Sequence, residues 1–248
     1  MNGFHTLLNF GFKRRIKDQF IIMYNLAFPL ILILLLGYLA TNFFKGDSNV
    51  TSNDYYSFVM LPFFVFSSII TMVYVAKDES LYKTSYRFLI APISGFQIIM
   101  SKIISCTVTI WVSTLIVMII IKILLGVSFS YGLSFVLILF FTEAFMASAI
   151  GIFIGYSFKN FETIKGIISI PINLFGIIGG TFFPIGSLGK TFMKVSYISP
   201  LTWVNKGIIA LIYDKDSKLA IYSIIITLIL GMVFSVVSVL AFKKEAFL

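Results

Sequence analysis

The chain has 248 residues, of which 59% are hydrophobic and only 12% charged, and 28 are phenylalanine; that balance excludes an ordinary water-soluble domain. Its net charge of +9 does not come as a basic patch with the aromatic spacing of a nucleic-acid module, so no nucleic-acid partner is expected. One cysteine, Cys106, and one histidine, His5, cannot build a disulfide framework or a Cys/His metal site, and no paired carboxylates suggest a hydrolase.

Residues 4–20 come first and are too polar to span a membrane. Phe4, Leu8, Phe12, Ile16 and Phe20 form a row at four-residue spacing, while Lys13, Arg14, Lys17 and Asp18 cluster elsewhere. The pattern is that of an amphipathic helix lying in the membrane interface. An ordinary positive flank of a signal anchor is the other reading, and the five-residue apolar row favours the helix. No small-residue cleavage site follows, so the first apolar segment is expected to stay as a signal anchor.

Six stretches then have the length, about 20 apolar residues, that a bilayer core requires: 21–44, 58–76, 103–125, 133–157, 164–183 and 219–242. Their uninterrupted apolar runs lack the alternation of barrel strands. The expected fold class is all-α, a polytopic membrane protein of one domain over 1–248. An even number of spans puts both termini on one side. With that side cytoplasmic it carries twelve of the nineteen basic residues, namely Lys13, Arg14, Arg15, Lys17, Lys77, Lys83, Arg87, Lys102, Lys159, Lys165, Lys243 and Lys244. Positive-inside counting therefore gives both termini inside, although the last outer segment is itself basic. Pro29 and Pro62 are tolerable within the first two spans as kinks. Asn49–Val50–Thr51 matches a glycosylation sequon in the first outer loop, a match that chance explains in an Ile/Phe/Lys/Asn-rich chain of AT-rich bacterial character.

Between the second and third spans lies a charged island, 76–102. Glu79, Lys83 and Arg87 recur every four residues, with Glu79 N-terminal to Lys83 in the favourable order. Tyr82, Tyr86 and Leu89 fall on another face, and Pro92 should end the helix. A short amphipathic surface helix over 77–92 is expected, against the alternative of a solvated connecting loop.

Glu143 sits midway along the fourth span. A carboxylate there costs roughly 2.5–3.5 kcal/mol on insertion scales, so it should face protein or water with a partner. Asn173 of the fifth span and nearby Ser or Thr hydroxyls are candidates. Both a cavity or proton-relay role and a structural interhelical contact are open. Late in the fifth span, Gly176, Gly179 and Gly180 permit close helix packing. The segment 184–213, with Pro184 and Pro200, is too interrupted to span and is expected to form short helices dipping into the outer leaflet. Gly189–Lys190–Thr191 is no phosphate loop, because Pro184 occupies the position where the earlier glycine belongs and no strand precedes it.

The order of these motifs resembles the membrane subunits of ABC-2-type ABC transporters. In the island, Glu79, Thr84, Arg87, Leu89, Pro92, Ile93 and Ser94 match the family's loop pattern, although Lys83 stands where a glycine usually precedes the threonine. After the fifth span, Phe182 and Pro184, then Ser199, Pro200, Leu201 and Thr202, match its Phe-x-Pro and Ser-Pro-Leu-Thr elements. The resemblance covers essentially the whole chain.

It implies that the island is a coupling helix seated on a separate cytoplasmic ABC ATPase, with Glu79, Lys83, Thr84, Arg87, Leu89 and Pro92 at the contact. It implies that Phe12, Arg14, Arg15 and Lys17 belong to a connecting helix touching that ATPase. Glu143 and Asn173 become pathway or buried polar residues, and Phe182, Pro184 and Pro200 mark the re-entrant region. A second copy, or a paralogous permease, would pair in the plasma membrane, with the second and fifth spans near the central pathway. This chain would itself be no enzyme and hold no cofactor, ATP and Mg being bound by the partner. Export is the family's commonest activity. A Phe-rich pathway suits small amphipathic peptides or lipophilic drugs, and the chain is similar to peptide exporters of low-GC Gram-positive bacteria, such as those of phenol-soluble modulins. Alternatives are an ion-coupled carrier using Glu143 and a non-transporting membrane immunity or anchor protein.

Overall fold

The computed structural model describes residues 2–42, 51–81, 91–127, 129, 131–158, 161–182 and 190–242. All regular structure among them is helical. Helix α1 is Asn2–Lys17 and α2 is Gln19–Leu39. They are followed by α3, Ser52–Ser67, α4, Ile69–Leu81, α5, Gly95–Leu125, and α6, Leu133–Ser157. The last four are α7, Phe161–Ile178, α8, Lys190–Ser196, α9, Pro200–Ile209, and α10, Lys218–Ala241. Among the described residues five helices are long and apolar enough to cross a membrane: α2, Ser52–Asp78 through α3 and α4, α5, α6 and α10. The protein is a polytopic all-α membrane protein.

The first span's helix ends at Leu39 instead of 44, and three further boundaries differ from expectation, each for a local reason. The second span begins at Ser52 because Thr51 and Asp54 form a reciprocal capping box, which satisfies amide donors that a helix start otherwise leaves open. The third begins at Gly95 because Ser94 and Gln97 do the same. The fifth stops at Ile178, leaving an apolar part, Gly166–Ile178, shorter than the other spans. There Gly180 has φ +77°, Gly180 N–H bonds to Ile177 O at 3.2 Å and Thr181 N–H to Gly176 O at 3.0 Å. This paired return with a left-handed glycine ends a helix.

In the first span the helix widens into a π turn at Met23–Ala27, just before Pro29. Proline lacks an N–H and crowds the carbonyl four residues back, and an extra residue in the turn relieves that clash.

The second span is buried almost throughout, and α6 packs against it as well as against α5 and α10. Glycines set these approaches. A Cβ at Gly155 would meet Ala76 Cβ and come 3.0 Å from Val73 O; at Gly151 it would meet Met72 Cβ and come 2.6 Å from Ile69 O. In lipid, apolar surface gains little by leaving its surroundings, so such close packing and interhelical hydrogen bonds carry association. Thr227 of α10 bonds to Thr142 of α6 at 2.8 Å. Phenylalanines fill the same interior: Phe58 stacks edge-on against Phe129 at 5.1 Å and Phe66 against Phe175 at 6.0 Å. Substituting Gly151 by Leu is expected to destabilise the fold by about 1–3 kcal/mol through overpacking, read as a lower unfolding midpoint in detergent.

Candidate functional site

The N-terminal helix lies against the start of α5 along one face, Leu7, Gly11 and Arg15, rather than along its phenylalanine row. Residues four apart on a helix share a face, and Gly11 admits the approach: a Cβ there would come 2.7 Å from Ser105 Oγ. In the row itself, Phe4, Leu8 and Phe12 are half-buried and Ile16 is exposed. The helix expected over 4–20 ends at Lys17. Asp18 then caps α2 by accepting from the N–H groups of Phe20 at 3.1 Å and Ile21 at 3.2 Å. Phe20 therefore belongs to the first span.

That face carries Arg15 into the protein, where it is 2% exposed. Its Nη1 lies 2.7 Å from Asp78 Oδ2, and Arg14 Nε lies 3.4 Å from the same oxygen. From the opposite side of the charged island, Lys102 Nζ donates to Val75 O at 3.2 Å and sits 5.2 Å from the Tyr156 ring centroid. Tyr156 in turn meets Phe242, beyond the sixth span, at 5.2 Å. One buried charge cluster thus joins the N-terminal helix, both helices flanking the island, and the ends of α6 and α10. Charges taken from water are tolerated at such a depth only when paired closely.

Of the residues expected to contact a partner, Arg14 and Arg15 turn inward to Asp78, Phe12 is half-buried and Lys17 is exposed. Glu79 continues α4, but its side chain lies outside the described residues, as do Lys83, Thr84, Arg87 and Leu89 entirely. Residues 77–81 extend the second span's helix instead of starting a separate one. Pro92 is exposed in a bend and Ser94 is the cap of α5, so the Pro-Ile-Ser element organises the entry to the third span. Asp78 was not singled out from the sequence. Its only signal there is a second acid beside Glu79 in the last turn before the island.

A second polar constellation holds the chain after the fifth span. Tyr55 O–H donates to Gly180 O at 2.7 Å and Tyr56 O–H to Phe182 O at 3.1 Å, while Asn205 Nδ2 donates to Gly179 O at 2.9 Å. Ser199 Oγ donates to Phe175 O at 3.1 Å, and Pro200 occupies the first turn of α9, where its missing N–H costs nothing. The Phe182 ring packs on Phe63 at 5.3 Å; Pro184 lies outside the described residues. The short helices α8 and α9 are those expected within 184–213. Tyr55, Tyr56 and Asn205 were not foreseen. Replacing Asn205 by Ala should cost about 1–3 kcal/mol by leaving a buried carbonyl unmet, measurable as a lower unfolding midpoint in detergent.

Glu143 is fully buried, and neither carboxylate oxygen has a hydrogen-bond partner among the described residues. Asn173 is not that partner: it is exposed and donates to Ser169 O in its own helix at 2.8 Å. Gly151 faces Met72 and Gly155 faces Ala76, so the two helices run in the same direction. Two turns earlier the same register places Glu143 level with Phe64.

A family model described as ABC-2 type transporter matches residues 2–213 of the chain. No curated protein matches it.

Proposed function

The chain belongs to the ABC-2 type transporter family and so is a membrane subunit of an ABC transporter, and on that premise we propose that it forms an export pathway energised by a separate cytoplasmic ATPase. The observation that carries this reading is the buried Arg15–Asp78 pair with Lys102 beside it. The proposed coupling segment leaves the second span immediately after Asp78 and returns near Lys102. A load applied to residues 79–92 by an ATPase is therefore delivered to a cluster that already binds five helices together. A loop tied at only one end would dissipate that load.

Glu79, Lys83, Thr84, Arg87, Leu89 and Pro92 are the proposed contacts on the ATPase, which would hold ATP and Mg. Arg14 and Arg15 act in this proposal from beneath the contact, by fixing Asp78, while Lys17 remains available at the surface. Two copies, or this chain and a paralogous permease, would pair in the plasma membrane of a Gram-positive cell. The exposed apolar face of α7, with Ile167, Ile170, Leu174 and Ile177, suits that pairing or the lining of a shared path. Small amphipathic peptides or lipophilic compounds are the proposed cargo: the core phenylalanines are engaged inside the bundle, and this apolar face is one that such a guest could meet.

The test is reconstitution of the chain with its cognate ATPase in vesicles. Reversing charge at Glu79 and Arg87 together should leave ATP hydrolysis by the ATPase in place and lower transport at least about tenfold, the scale of losing one or two charge-assisted contacts. Transport at the wild-type rate would sink the coupling assignment. The unpartnered Glu143 favours a second reading, a carrier driven by an ion gradient; transport in vesicles without any ATPase would support it.

A further inference from the structure

We propose that the first and second spans share one hinge, made by the π turn Met23–Ala27 and the break at Ser68. About it the halves of both spans far from the N-terminal helix tilt together as a gate, while the near halves stay fixed to the bundle. In the second span the helix stops at Ser67 and resumes at Ile69. Ser68 has ψ −11°, flatter than the helical value of about −42°, and its N–H is shared between Phe64 O at 3.0 Å and Val65 O at 3.3 Å. Side chains occupy the carbonyls there: Ser68 Oγ donates to Val65 O at 2.6 Å and Thr71 Oγ1 to Ser68 O at 2.8 Å. Such back-bonding bends helices, and serine pairs are recurrent sites of kinks. Pro62 disturbs the turn before it, toward Phe58, and does not account for a break beyond it.

The two breaks lie at one depth and are joined. Tyr24, inside the π turn, donates its O–H to Ser67 O at 3.4 Å, and its ring lies 6.1 Å from that of Phe64. The near halves are tied to each other, Phe20 to Tyr74 at 5.1 Å and Asp18 through Arg15 to Asp78. The close contacts of Gly151 and Gly155 also fall on this side of the break, at Met72 and Ala76. The far halves are tied as well, because Ser52 Oγ donates to Gly37 O at 2.6 Å. Tyr55 and Tyr56 hold Gly180 and Phe182, so the far end of the fifth span travels with them. Two bodies, each bonded within itself, thus meet at a pair of weakened helix turns, where a few residues can absorb a hinge rotation. The far arm Phe28–Leu39 has 12 residues and is about 18 Å long, so a tilt of about 15° moves its tip about 5 Å. The inference rests on the helices themselves and not on export, so either can fail alone.

The experiment places pairs of nitroxide labels in the full-length chain carrying Cys106→Ser, in lipid nanodiscs, and reads their distance distributions by double electron–electron resonance. Labelled chain is diluted with unlabelled chain so that pairs within one copy are read. Tyr38→Cys with Tyr222→Cys spans the far end, and Lys13→Cys with Leu240→Cys the near end; all four side chains are exposed. The far pair should give a distribution about 5 Å broader than the near pair. Ser68→Ala and Ser68→Gly both delete the hydroxyl, and both put a smaller side chain into an enclosed position. Alanine is the best helix former and glycine among the worst, so a difference between them reads the backbone and not the lost hydrogen bond. The far distribution should narrow in Ser68→Ala and widen in Ser68→Gly, with the near pair unchanged in both. Far and near distributions of equal width, or the same far width in the two variants, would overturn the proposal. Tyr24→Phe keeps the ring and releases Ser67 O, and should widen the far distribution too. It decides the matter if neither Ser68 variant folds, an unchanged width then overturning the hinge.

Discussion

Replacing Asp78 by Ala is expected to be among the most damaging single changes in the chain, costing about 3 kcal/mol, because it removes the closer counter-charge of the buried Arg15 guanidinium and leaves it the more distant Asp18 at 4.0 Å. Arg15 is 2% exposed and its Nη1 lies 2.7 Å from the Asp78 carboxylate. It cannot reach water without moving α1 away from α5. Arg14, less buried and at 3.4 Å, can turn outward, so its substitution by Ala should cost far less. The pair can also be removed together. Arg15→Met with Asp78→Leu replaces two desolvated charges by apolar groups, and buried ion pairs exchanged in this way are often neutral or stabilising by about 1–4 kcal/mol. The unfolding midpoint of the double variant should therefore recover most of what Asp78→Ala loses. Wild-type stability in Asp78→Ala would show that the pair carries no load. If the double variant folds but transports poorly beside an active ATPase, the pair transmits motion as well as holding helices.

This pair also shows where reading the sequence runs out. The spans were legible because a bilayer imposes a length and a composition: 133–157 coincides with α6, and 219–242 lies one residue from α10. Their polar ends were not. Gln97, Ser101 and Lys102 weaken the hydropathy of the third span's first turns, yet Ser101 and Lys102 are buried because α1 covers them, and no local pattern announces a covering helix. The apolar row of α1 marked a face for the membrane interface, and nothing in it announced the face that meets α5. Close approach to α5 favoured the smallest residue, Gly11, and burial of Arg15 followed from Asp78, 63 residues later in the chain. The second span looked like any other. Only the assembled bundle shows that it is the most enclosed, with Phe58, Phe63, Phe64 and Phe66 packed inward instead of toward lipid or cargo. The Ser-Pro-Leu-Thr element was legible as a motif, but its physical role shows only in the fold, where Ser199 and, beyond it, Asn205 donate to the carbonyls of Phe175 and Gly179 at the end of the fifth span.

Glu143 separates the two transport readings. It lies on the central helix of the bundle, wholly enclosed, level with Phe64 of the second span, and its oxygens meet no donor among the described residues. A buried polar group without a partner costs about 1–3 kcal/mol. A chain under selection for stability alone would lose it, so Glu143→Leu is expected to raise the unfolding midpoint by a comparable amount, and Glu143→Lys to prevent folding, since it puts a longer cationic side chain into a fully enclosed site. The informative change is Glu143→Gln, which keeps size and polarity and removes the ability to carry a proton. In an ATP-driven exporter the Gln variant should transport at close to the wild-type rate with the ATPase present, because the driving force enters through Asp78 and Lys102 at the end of the bundle. In an ion-coupled carrier it should abolish transport while leaving the fold intact. Measuring both stability and flux in this one variant therefore assigns Glu143: unchanged flux makes it a tolerated strain in the packing of α6, and lost flux at unchanged stability makes it the coupling group.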